Sequence, residues 1–132
     1  MANQTYYDYK EIEMPVFESD TDCATGNGKA AITVPSRLAG YEIYDVQAGG
    51  IHTLGVGSTM DIQLRRRRAT TENDVLSAKV TVDPSEYTAN DGTVNSSYSD
   101  MAEGDNFYID VDQVHTTPAK GLTCVVMIRK SG

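Results

Sequence analysis

A chain of 132 residues with net charge -8, 39% apolar and 23% charged, fits one folded domain that can bury a core without metal or disulfide staples. The acidic balance argues against non-specific nucleic-acid binding, which draws its affinity from basic surface, and favours solubility or a partner with basic patches. No apolar run approaches the ~20 residues of a membrane span, and Met1 to Asp8 lack the charged-then-apolar layout of a signal peptide, so synthesis in a cytoplasm is expected.

Residues 1–18 are acidic and tyrosine-rich. Ile12, Met14 and Val16 keep a period of two, which predicts an edge strand over residues 10–17, a place that also suits Pro15. Ahead of it, residues 1–9 read either as a frayed terminus or as an arm that docks on a neighbouring subunit through Tyr6, Tyr7 and Tyr9. The domain proper is placed at 19–132.

Glu18 to Gly28 has the composition of a loop. Ala30, Ile32 and Val34 line one face of a short strand that Pro35 stops, and Ser36 to Gly40 forms a tight or single helical turn with Gly40 as its C-terminal cap. Tyr41 to Gln47 is the next strand, in which Ile43 and Val46 share a face only through a bulge. Gly49 to Ser58 is a glycine-rich loop. Met60, Ile62 and Leu64 point inward from a strand that ends in Arg65-Arg66-Arg67-Arg68, followed by a polar loop over 69–74. Leu76 enters the core just before a strand at Ser77 to Val82. Residues 83–95 turn away as a polar stretch, and Glu103-Gly104-Asp105 closes a turn.

The strongest pattern comes last. Phe107, Ile109 and Val111 alternate with Tyr108, Asp110 and Asp112; after a polar turn, Leu122, Cys124, Val126 and Ile128 alternate with Thr123, Val125, Met127 and Arg129. Seven or eight short antiparallel strands, no helical periodicity and regular turn chemistry predict a single all-β domain, a sandwich or barrel.

The runs Asp74 to Asp83, Gly104 to Val114 and Thr116 to Leu122, together with Lys29 to Pro35 and Leu38 to Tyr41, resemble small structural proteins of tailed bacteriophages. Such sequences recur as capsid-decoration (cement) proteins and as terminal domains of other virion proteins. The resemblance spans roughly residues 29–129. It implies a jelly-roll-like β-sandwich without an active site, bound to the major capsid protein on the capsid exterior. A homotrimer whose N-terminal arms bridge capsomers is also implied.

Local features are weighed on that background. Four consecutive cations cannot place two in a core, so Arg65, Arg66, Arg67 and Arg68 are expected to leave the sheet. They would pair with local acids such as Asp61, Glu72 and Asp74, or form a docking patch for an acidic surface. Asp110 and Asp112 read as a solvated acidic face, without the glycine-turn layout of a calcium loop. His52 and His115 lie in loops with no strained nucleophile beside them, and Gly55 to Ser58 lacks the lysine and helix of a phosphate loop. Cys124 reads as a core hydrophobe, and a bond to Cys23 requires oxidising conditions.

Val125 and Met127 occupy the outward period of a strand whose inward face is already apolar. That face is therefore expected to be covered, by another layer or by another subunit with these residues at a trimer seam. No cofactor, metal or membrane is called for, and an enzyme is the weakest option. A glycan- or receptor-binding module is the alternative, with Tyr44, Tyr87 and Tyr98 as candidate platform residues.

Overall fold

The structure is a computed structural model that describes residues 6–132. Among the described residues the chain forms β1 (Tyr7–Asp22), β2 (Gly26–Thr33), a 3-10 turn (Ser36–Leu38), β3 (Glu42–Gly49), β4 (Met60–Arg68) and β5 (Thr71–Asp74). These are followed by β6 (Leu76–Ala78), β7 (Val80–Val82), β8 (Thr93–Val94), β9 (Asn106–Gln113) and β10 (Lys120–Ser131). All pairings are antiparallel. One sheet has the order β1-β10-β3, a second the order β2-β9-β4-β5 with β7 also on β4, and β6 pairs with β8.

The two larger sheets feed one hydrophobic cluster. Met14 from β1, Cys124, Val126 and Ile128 from β10 and Ile43 and Val46 from β3 join Met60, Ile62 and Leu64 from β4 and Phe107, Ile109 and Val111 from β9. This is the alternation read in the sequence turned into packing. The alternation is cleanest in β10, where Leu122, Cys124, Val126 and Ile128 are buried and Thr123, Val125, Met127 and Arg129 are not. Apolar area removed from water contributes roughly 1.5–3 kcal/mol per fully buried large side chain.

Local chemistry explains the joints. Ala39 caps the 3-10 turn and Gly40 (φ 88°), expected as the cap, is the left-handed residue just after it, while Gly104 (φ 87°) sits in the turn before β9. The expected bulge in β3 is present: Met127 faces Asp45 but Ile128 faces Ile43, so Tyr44 is the extra residue and both Ile43 and Val46 point inward. Gly121 (φ 84°) is required by close approach, because a Cβ there would lie 2.8 Å from the Gly50 carbonyl oxygen.

Several expectations are corrected. Tyr7 to Tyr9, expected in a free arm, are the first residues of β1 and pair with Ser131 to Arg129 of β10; residues 1–5 of the expected arm lie outside the described residues. β1 runs on through Glu18 to Asp22, which composition had marked as loop, by way of register shifts after Pro15 and Phe17. Thr71 to Asp74, also expected as loop, is strand β5, paired with Arg65 to Arg68. The single strand expected over Ser77–Val82 is divided at Lys79 into β6 and β7, which join different sheets. β1 is an edge strand, as Pro15 suggested.

Candidate functional site

β10 lies between β1 and β3, so its outward side chains form the centre line of an exposed sheet face. The register sets three rows across that face. Val125 lies between Glu13 and Gln47, Met127 between Glu11 and Asp45, and Arg129 between Tyr9 and Glu42. Val125 and Met127 are half-buried.

At one end of this face the tyrosines gather. Tyr7 packs on Tyr9 with ring centroids 5.8 Å apart, and Tyr9 meets the edge of Tyr44 at 5.7 Å. The Arg129 guanidinium lies over the Tyr7 ring at 4.5 Å and the Tyr44 ring at 5.1 Å, and donates from Nε to a Glu42 carboxylate oxygen at 2.8 Å. Arg129 is thus held by one carboxylate and two rings. Tyr9 remains 58% exposed, and Tyr6 just ahead of it 69%. Glu11, Glu13 and Asp45 form no ion pair among the described residues. The result is an apolar and aromatic strip framed by uncompensated carboxylates.

The arginine run does not leave the sheet, contrary to expectation. Arg65 to Arg68 are the last four residues of β4, and each face of the strand supplies partners from a distant segment. Outward, Arg65 donates to both oxygens of Asp110, at 2.9 and 3.1 Å, and to Glu72, while stacking over Tyr108 at 4.5 Å. Arg67 donates to the Tyr108 hydroxyl. Inward, Arg66 is only 6% exposed yet reaches the Asp100 carboxylate at 2.8 Å and the Tyr98 and Asp100 carbonyls. Arg68 bonds both oxygens of Asp105, at 2.9 and 2.7 Å, as well as Asp100. Burial of Arg66 is tolerated because its charge is paired with Asp100, although its Nε has no partner. Arg65 and Arg68 also meet carboxylates, whereas half-buried Arg67 rests on the Tyr108 hydroxyl and ring without an ion pair. Of the acids expected to serve, Glu72 is used; Asp61 and Asp74 form no ion pair with the run. Arg65, Arg66 and Arg68 are thus engaged within the fold.

The acid pairs follow suit. Asp110, expected on a solvated face, is buried; it binds Arg65 and accepts from the Gly28 amide at 2.7 Å. Asp112 pairs with Lys79 at 2.9 Å. Burial pushes the Asp105 carboxyl up, but Arg68 and the Ala102 amide outweigh it and hold it below the usual carboxylate range; at the more exposed Asp100, desolvation is likewise outweighed by Arg66 and Arg68.

The two histidines sit in different settings. His115 is buried, with Nε2 3.1 Å from the Val82 carbonyl and Nδ1 without a partner, whereas His52 is exposed. Both cysteines are free and buried; burial pushes the Cys23 thiol up to about 11 and the Cys124 thiol up to about 12. No group of three or more histidine, cysteine or acidic residues there could hold a metal. A cleft of about 420 Å³ between β1 and β2 is floored by Ile12, Ile32, Leu38 and Ile128 and carries no histidine or cysteine. The three tyrosines of the alternative reading are dispersed: Tyr44 belongs to the outer face, Tyr98 stacks on Arg66 at 5.7 Å, and exposed Tyr87 shares no ring contact with either.

Of the expected contact residues, the structure brings Tyr7, Tyr9, Val125 and Met127 onto one face and removes Arg65, Arg66, Arg67 and Arg68 from it. Sequence reasoning did not place Glu11, Glu13, Tyr44 and Asp45 there. The period of two through β1 was the available signal for the first pair; the β3 bulge hid the second. No family model and no curated protein matches the chain.

Proposed function

We propose that the chain is a non-enzymatic structural protein of a tailed-phage virion, a jelly-roll-like sandwich that decorates and stabilises the capsid exterior. The outer face of the β1-β10-β3 sheet serves as its docking surface. The observation that supports this reading is the half-buried Val125 and Met127 strip beside an exposed tyrosine cluster; the other exposed large apolar side chains, Val56 and Tyr87, lie outside the strands of this sheet. Tyrosines contribute amphipathic contact area at low entropic cost, which suits them to such surfaces. The sequence resemblance over residues 29–129 supplies the virion context.

The mechanism is mass action. A subunit that binds the assembled shell and not its separated parts stabilises the shell by RT ln(1 + [L]/Kd) per site. In a homotrimer, three such faces add through multivalency, so each contact can be weak. Purified protein is expected to co-sediment saturably with empty capsids of the encoding phage. A Val125→Lys, Met127→Lys variant that folds normally by circular dichroism should stay in the supernatant. Failure of the native protein to pellet with capsids overturns the reading.

A glycan-binding module is the second reading, favoured by a polar recess of about 200 Å³ lined by Glu42, Tyr44, Ser96, Ser99 and Arg129. Saturable sugar binding that Tyr44→Ala abolishes, in a protein that ignores capsids, would replace the first reading with this one.

A further inference from the structure

Resting on the docking surface just described, we infer that its partner presents a basic segment in which lysine or arginine side chains flank an apolar residue. The argument is charge complementarity at fixed register. On the central strand, Met127 lies between Glu11 and Asp45, and Val125 has Glu13 on one side. None of these three carboxylates has a cation of its own among the described residues. The one arginine on the face, Arg129, is held by Glu42 and two tyrosine rings and is not available to neutralise them.

Elsewhere the chain spends its cations differently. Arg65, Arg66 and Arg68 all meet carboxylates, and Lys79 and Lys120 pair with Asp112 and Asp22. Other acids, such as Asp83 and Glu86 near exposed Tyr87, also lack an ion pair among the described residues. What is particular to this face is that strand register sets three such acids around the apolar side chains of one central strand. Covering Val125 and Met127 with an apolar or acidic surface would desolvate three carboxylates that lack a cation, of which Asp45 has only the Val46 amide as a donor at 2.9 Å, at a cost that offsets the apolar gain. A second copy meeting this face with its own identical face would bring six carboxylates together, so isologous self-pairing is disfavoured and a basic heterologous partner is selected. Aromatic rings of Tyr7, Tyr9 and Tyr44 add a surface on which further cations can stack.

The test uses the full chain and a defined probe, an acetylated and amidated ten-residue peptide alternating lysine and valine, with lysine-glycine and glutamate-valine peptides as comparisons. Backbone amide shifts recorded by NMR during titration are expected to concentrate at Glu11, Glu13, Asp45, Val125 and Met127. Affinity should fall about tenfold or more between 50 and 300 mM salt, as screening weakens the charge pairs. Met127→Ser, which leaves the charge unchanged, should weaken binding by about fivefold through lost apolar contact, and the lysine-glycine peptide should bind no better. Shifts spread evenly over all acidic surface, shifts centred on residues 83–91, or tighter binding of the glutamate-valine peptide overturn the inference, as does concentration-dependent dimerisation through this face in sedimentation equilibrium. The two readings separate cleanly: peptide binding at this face without capsid binding removes the capsid role and keeps the basic partner, while capsid binding without it does the reverse.

Discussion

Asp105 shows how single residues hold this fold. Its carboxylate is 2% exposed, bonds Arg68 through two oxygens and caps the Ala102 amide at 2.9 Å. Replacing it with asparagine leaves Arg68 short of charge and should cost about 2–3 kcal/mol at pH 7, measured by urea unfolding. Because Asp100 and Asp105 both sit below their ordinary value of 3.8 in the folded state, their stabilisation is complete above that value. It is lost as pH falls through their lower folded values. The native protein should therefore lose stability steeply below about pH 4, and Asp105→Asn should flatten that limb. Gly55 is a steric case: a Cβ there would fall 2.1 Å from His115 Nδ1. Gly55→Ala should cost about 2–3 kcal/mol, and less in a His115→Ala background, where the clash is gone. The buried thiols, with Cys23 at about 11 and Cys124 at about 12, should resist a thiol reagent at pH 8 until the chain is unfolded.

At the scale of elements, legibility tracked how local the determining contacts are. β9 and β10 were read correctly because their alternation is carried within each strand, and β3 yielded its bulge because Ile43 and Val46 break parity three residues apart. β5 was missed because Thr71-Glu72-Asn73-Asp74 has no apolar face; it is a strand only because Arg65 to Arg68 present it with a paired hairpin edge. The arginine run was misplaced for a related reason. Its partners Asp100, Asp105 and Asp110 stand 32 to 45 residues away, and nothing near Arg66 in sequence announces them. The outer face was half legible: Val125 and Met127 signalled it, while the acids that frame it became visible only through register. β1 itself should behave as an integral strand and not as a detachable arm. Met14→Ala, at a position 1% exposed, is expected to cost about 2–4 kcal/mol in chemical denaturation. Its exposed neighbour Glu13→Ala should change stability by no more than about 0.5 kcal/mol.

For the whole molecule, the two β faces divide the labour. The outer face of the larger sheet spends its charge internally, in the Arg65, Arg67, Tyr108 and Asp110 lattice, and so gives rigidity. The outer face of the three-stranded sheet leaves Val125 and Met127 half-buried beside Glu11, Glu13 and Asp45, and this is the face proposed to meet a partner. Carbodiimide footprinting of carboxylates on the chain, free and bound to empty capsids, tests that division most directly. Labelling of Glu11, Glu13 and Asp45 should fall sharply on the capsid while Glu86 and Asp91 keep their free-state reactivity. Unchanged labelling at Glu11, Glu13 and Asp45, or protection confined to Glu86 and Asp91, would contradict the assignment of this face as the working surface.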